Sequence, residues 1–142
     1  MGKEVSNYSG ADVTIVFAGI TISGVADGTF VKVVRDNPMF TSTTGADGEG
    51  ARAKSSDASG TVTVTLLQTS NSNDALSAQA ALDEANGSGM GALMVKDGSG
   101  RSIAHAEKAW IERYSDLELG REIGNREWVF KSTNLELFVA GN

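Results

Sequence analysis

The chain has no cysteine, one proline, one histidine and few aromatics: two Trp, two Tyr and five Phe in 142 residues. Each shortage excludes something. Without thiols there is no disulfide framework, no thiolate metal site and no cysteine nucleophile, which suits a protein made in a reducing compartment. The single imidazole, His105, has no serine in a Gly-x-Ser-x-Gly elbow to serve and no second histidine at metal-ligand spacing. It reads as a surface or sheet residue. No apolar run approaches the roughly 18 residues of a membrane span, and Met1, Gly2, Lys3 and Glu4 open no charged-then-apolar signal peptide. Cations are short as well: 12 Lys+Arg face 18 Asp+Glu, a net charge of −6. Affinity for nucleic acid comes from cations that displace counterions. A protein that grips DNA is therefore disfavoured, whereas one that stays near DNA without adhering is not.

What is present points to one globular domain, residues 1–142, with 40% hydrophobic and 21% charged residues. Seventeen glycines without a three-residue repeat imply many turns. Val13, Ile15 and Phe17 alternate with more polar neighbours, the period of a half-buried strand, and Ile20–22 resumes extended character. Asp27 and Gly28 form a turn dipeptide, and residues 30–36 are rich in β-branched side chains. Residues 60–66 are the clearest strand, with Val62, Val64 and Leu66 on one face and Thr61, Thr63 and Thr65 on the other. Ser70 to Asn73 offer helix caps, Asp74 suits the helix dipole, and Asn86-Gly87 a stop. One short helix is expected over 73–86, with Ala75, Ala78, Leu82 and Ala85 inward and Leu76 at the margin. Short strands at 92–96 and 102–112 flank a turn at 97–100. Two closing strands come last, at 125–131, where Trp128 and Phe130 share a face, and at 134–139, where Leu135, Leu137 and Val139 do. The sum is a mainly β chain: an antiparallel β-sandwich or barrel with one short α-helix and a long extended loop arm.

That arm is residues 37–59. Apart from Met39 and Phe40, almost nothing in it can join a core, and a polar excursion of this length in a compact domain is usually functional or disordered. Extended pieces at 39–44 and 49–55 around residues 45–48 would make an arm-like hairpin. Met39 and Phe40 are its apolar anchors, and Asp36, Asp47, Glu49, Arg52 and Lys54 its charges. Asp47, Glu49 and Asp57 lack the alternate spacing of a calcium loop and read as solvated. Gly87, Gly89 and Gly91 come after a helix and precede a strand, the reverse of a phosphate-binding order. Asn7 and Asn86 match the glycosylation pattern by chance. The pairs Asp83/Glu84 and Glu118/Glu122 read as solvated faces. Arg113, Arg121 and Arg126 lie among Glu112, Asp116, Glu118, Glu122 and Glu127, either as subunit-facing ion pairs or as ordinary soluble surface. No catalytic, cofactor-binding or metal-binding set emerges, and no enzyme or cofactor is expected.

The order of features is distinctive: Gly24-Val-Ala-Asp-Gly-Thr-Phe30 after a strand hairpin, then an arm with Gly45-Ala-Asp-Gly-Glu49 and Arg52-Ala-Lys-Ser55. Beyond the arm come Ser59-Gly-Thr-Val-Thr-Val-Thr-Leu-Leu-Gln68, Ser72-Asn-Asp74, a short helix and a late Arg126-Glu-Trp128. Jointly these resemble, over nearly the whole chain, the tail tube proteins of contractile-tailed bacteriophages, whose architecture recurs in type VI secretion and pyocin tubes. The resemblance implies a homo-hexameric ring that stacks into a hollow tube, with residues 37–59 as the inter-ring arm (Met39, Phe40, Asp47, Glu49, Arg52, Lys54). It also implies sheath, tape measure and baseplate partners, DNA passing through the lumen without specific binding, and no membrane insertion. The location implied is the virion tail, assembled in the bacterial host cytoplasm. Thr61, Thr63 and Thr65 form the candidate lumen face, where an acidic or Thr-rich wall would let DNA slide. Strands with two usable faces need covered edges, which neighbouring copies can supply strand to strand. The alternatives are a tube of a secretion or pyocin-like device and, in another class, a monomeric β-sandwich binding module. The latter usually displays exposed aromatics that are scarce here.

Overall fold

The computed structural model describes residues 8–141; Asn7 and the opening residues lie outside them. A 3-10 turn at Gly10–Asp12 leads into β1 (Val13–Phe17), which turns tightly into the short β2 (Ile20–Thr21). Next are β3 (Val31–Arg35), the hairpin of β4 (Phe40–Thr44) and β5 (Gly50–Lys54), and the long β6 (Gly60–Leu67). The helix α1 (Ser72–Asn86) precedes β7 (Gly91–Asp97), β8 (Ile103–Arg113), β9 (Asn125–Ser132) and β10 (Glu136–Phe138). Eight strands form one sheet in the order β2-β1-β7-β8-β9-β6-β3, with β10 joined to β8; β4 and β5 form a separate two-stranded sheet. Every ladder between these strands is antiparallel. The expected mainly β, antiparallel sandwich-like architecture is present, with the sheet curled but not closed into a barrel.

The curl can be read from one contact. β1 and β9 stand three positions apart, about 14 Å in a flat sheet, yet the rings of Phe17 and Phe130 lie 4.9 Å apart. Only a concave sheet brings them together. Its inner face holds Ile15, Phe17, Val62, Val64, Leu66, Leu93, Ala104, Ala106, Trp128 and Phe130, all buried. The alternation in β6 is strict: Val62, Val64 and Leu66 are buried and the three threonines between them half-buried. A slip of one residue would reverse this assignment, so the register is firmly specified.

α1 caps the core by inserting Leu76, which is fully buried, into the cluster that also holds Phe17 and Ile22. The helix buries Ser72, Leu76 and Ala80, not the expected face. Ala78, Leu82 and Ala85 are exposed, and Leu82 retains 43% of its accessible surface. The reason is anchoring at the helix start. Asn73 donates to the carbonyls of Leu67 and Ser70, both at 3.0 Å, and accepts from the Trp128 indole N–H at 2.9 Å. Buried Ser72 accepts from the Ser23 N–H at 3.0 Å. These bonds fix the rotation of the helix about its axis, and the side chains at i+4 steps from Ser72 turn inward. The helix ends at Gly87, whose N–H bonds the Asp83 carbonyl at 2.7 Å.

Two local features shape the C-terminal part of the sheet. Gly60 opens β6 directly against Leu135: a Cβ there would lie 2.1 Å from the Leu135 Cδ2, so only glycine admits this approach. The final strand is shorter than expected, and the shared apolar face fades along it. Leu135 is buried and Leu137 half-buried, but Val139 lies beyond β10 and is 78% exposed.

Candidate functional site

Among the described residues no cluster of His, Asp and Glu is placed to hold a metal ion; a shallow polar pocket of about 290 Å³ is lined by Arg113, Tyr114, Ser115, Asp116, Glu118 and Glu127. What the structure offers is exposed surface. The foremost is the arm. β4 and β5 pair in register from Phe40–Lys54 to Thr44–Gly50, and every residue of both strands is exposed. The hairpin therefore rests on no described part of its own chain. A lone two-stranded hairpin is marginal in water, so its order comes from its ends. At the tip, Gly48 takes φ 86°, the Gly45 N–H bonds the Glu49 carbonyl at 2.7 Å, and the Asp47 carboxylate accepts from the Glu49 N–H at 3.1 Å. Asp47 thus serves the turn.

At the neck, Asp57 gathers both sides of the arm. Its carboxylate accepts from the Asn37 amide at 2.6 Å, the Ser59 N–H at 2.9 Å and the Ser59 hydroxyl at 2.5 Å. The Ser59 hydroxyl, with help from its N–H, holds the Asp57 carboxyl below the usual carboxylate range. The neighbouring Asp36 N–H bonds the Ser59 carbonyl at 3.0 Å. Between neck and tip, the Arg52 guanidinium lies over the Phe40 ring, 4.0 Å from its centroid, a cation–π contact that shields one ring face. Met39 and Phe40 remain 67% and 37% exposed. The six arm residues singled out from sequence thus divide. Asp47 holds the turn and Arg52 covers one face of Phe40, while Met39, Glu49 and Lys54 stand in solvent.

The convex face of the sheet carries Thr61, Thr63 and Thr65. In register, Thr63 sits between Lys32 and Val129, Thr61 between Val34 and Lys131, and Thr65 beside Glu127. The threonine hydroxyls and basic residues therefore share this face, and the chain's acidic excess is not concentrated on it. Lys131 is offset by Asp36, 3.3 Å away, and Asp36 also accepts from the Thr61 hydroxyl at 2.7 Å. His105 lies half-buried in β8, opposite Met94 and Glu136. Of the mixed charges near the C-terminal half, Arg113 pairs with Asp116 at 3.2 Å, both well exposed, and Arg126 donates to the Glu118 carbonyl at 3.2 Å.

Sequence reasoning missed two surfaces. Residues 115–124 read as charged and glycine-flanked, yet Leu117, Leu119 and Ile123 stand 77%, 76% and 69% exposed there. The i, i+2 spacing of the two leucines was the available signal. The other is a groove of about 280 Å³ where the curled sheet fails to meet itself, lined mainly by Val13, Val31, Val33, Val95, Leu137 and Phe138. Its lining residues come from β1, β3, β7, β8 and β10, whose joint nearness is not visible in sequence.

Comparison with known proteins places this architecture. The chain is 32% identical over 150 residues to structural protein ORF10 of Pseudomonas phage KPP10, covering 100% of this chain and 87% of that protein. Its fold is similar to the solved cap of the anti-feeding prophage, a tube-terminating cap, with a TM-score of 0.63 across 99% of this chain and 96% of the other at 8% identity. Residues 5–139 match the family described as the bacteriophage PhiTE tail tube protein. A match spanning nearly the whole chain, together with a phage structural relative along its full length, shows that the chain belongs to this tail tube family.

Proposed function

We propose that the chain forms hexameric rings that stack into the hollow tail tube of a virion, through which DNA leaves during ejection. The observation that carries this reading is the β4–β5 hairpin, ordered at neck and tip yet exposed at every position. A polar arm without a resting place in its own chain fits a contact with another copy. Residues 37–59 serve as the inter-ring arm, with Met39 and Phe40 as apolar anchors and Glu49 and Lys54 as steering charges. Edge strands β2 and β3 leave ladder groups for a neighbour to complete. A ring closes laterally, whereas the top-to-bottom contact does not close and so yields a filament. The convex face with Thr61, Thr63 and Thr65 lines the channel. Sheath, tape measure and baseplate proteins complete the tail, which assembles in the host cytoplasm. A virion tube is favoured over a secretion or pyocin-like tube because the relative at 32% identity is a phage structural protein.

The test is electron microscopy of the purified chain at high concentration, alone and with residues 45–50 deleted. The full chain should give rods. The deletion should leave the fold intact by circular dichroism but give rings or short stacks only. Monodisperse monomers of the full chain across salt conditions would overturn the tube; rods of unchanged length from the deletion would overturn the arm assignment.

A further inference from the structure

We propose that the loop of residues 115–124 is a plug that seats Leu117, Leu119 and Ile123 in the apolar groove of a second copy of this chain. The inference rests on the tube reading and names a contact separate from the arm. The loop is not loose chain. The Gly124 N–H bonds the Gln68 side-chain carbonyl at 3.0 Å, Arg126 holds the Glu118 carbonyl at 3.2 Å, and the Ser115 hydroxyl accepts from the Glu127 N–H at 3.1 Å. Its base is pinned to β9 while three large apolar side chains are 69–77% exposed. Apolar side chains held ordered in water mark an interaction site.

The groove has the opposite shape. It is an apolar cavity of about 280 Å³ between the free strand β3 and the strands β1, β7 and β10, and exposed Phe138 (56%) and Val139 (78%) extend its apolar rim. The occupant cannot be the chain's own loop. Ile103, at the first position of β8, lines the groove, and the plug begins two residues after Arg113 ends that strand. Ten residue steps of extended chain separate them, about 33 Å. Plug and groove thus lie at opposite ends of the longest strand, the arrangement that lets one copy engage the next head to tail. The plug carries Asp116, Glu118 and Glu122 against Arg121, and Arg101 adjoins the groove residue Ser102, while the groove lining itself is apolar apart from Ser102 and Asp97.

The full chain has no native cysteine, so a Leu119→Cys, Phe138→Cys double variant tests the contact directly. Mild oxidation should yield a ladder of covalent multimers, with each single variant giving none. In parallel, the triple variant Leu117→Ser, Leu119→Ser, Ile123→Ser alters only exposed positions. It should keep the parent circular dichroism spectrum while raising the concentration needed for assembly about a hundredfold, as loss of an interface hot spot does. If the parent forms rods but the double variant stays monomeric on oxidation, or the triple variant assembles within twofold of the parent, the plug is wrong and the tube stands. If the parent never assembles, both fall.

Discussion

Asn73 holds more of the structure together than its type suggests. Its amide group satisfies two loop carbonyls and its oxygen takes the only polar hydrogen of a tryptophan that is 3% exposed. Replacing Asn73 with Ala leaves the Trp128 N–H buried without a partner, a loss of about 1–3 kcal/mol. Urea unfolding of Asn73→Ala should show this as a lower midpoint with an unchanged slope. Asn73→Asp should lose less, because the indole acceptor remains. The sequence placed Asn73 near a helix start but not against Trp128, which is 55 positions away. Such pairings depend on tertiary contacts that local pattern does not encode. Gly60 is similar: its need for a missing side chain appears only once Leu135 is seen against it.

Among the elements, the arm is the one held at its neck by a single carboxylate. Its neck is tied by Asp57, whose carboxyl is held below its usual range chiefly by the Ser59 hydroxyl. A carboxyl with a depressed folded value contributes fully above its unfolded value, and the contribution is lost as pH falls through the folded one. The neck should therefore be held at neutral pH and loosen below about pH 4. Amide protection along β4 and β5, corrected for the intrinsic pH dependence of exchange, should fall below that point in the parent. In Asp57→Asn protection should already be low at pH 7, with no such acid step. The first extended piece and the tip of this arm were legible because the threonines of β4 and a glycine turn leave a local imprint, and β5 followed as the partner across that turn. The inward face of α1 was not. The helix is alanine-rich, so the stripe through Ala75, Ala78, Leu82 and Ala85 and the stripe through Leu76 and Ala80 look alike in composition. The bonds at Ser72 and Asn73 decided between them.

At the scale of the whole molecule, the proposed lumen face can be tested by its charge. The threonine face holds Lys32 and Lys131 beside the hydroxyls, with Lys131 offset by Asp36 and Glu127 adding an acid next to Thr65. Replacing Glu127 with Lys tilts this balance toward cations, which hold DNA by counterion release. In virions carrying Glu127→Lys, tail length should be unchanged by microscopy while DNA release slows, and added salt should restore the rate. Release at the parental rate in low salt would show that this face does not meet the DNA.

The amino-acid sequence by itself determined the class of molecule. Alternation at period two wrote the strands, glycines and Asp-Gly pairs wrote their turns, and the polar composition of residues 37–59 set the arm apart from any core, because each is a property of neighbours along the chain. Tertiary structure alone decided the rotation of the helix, the mixed charge of the threonine face and the unclosed seam with its groove. Each of these depends on which distant strands lie side by side, and curvature accumulated across eight strands leaves no mark on any single one.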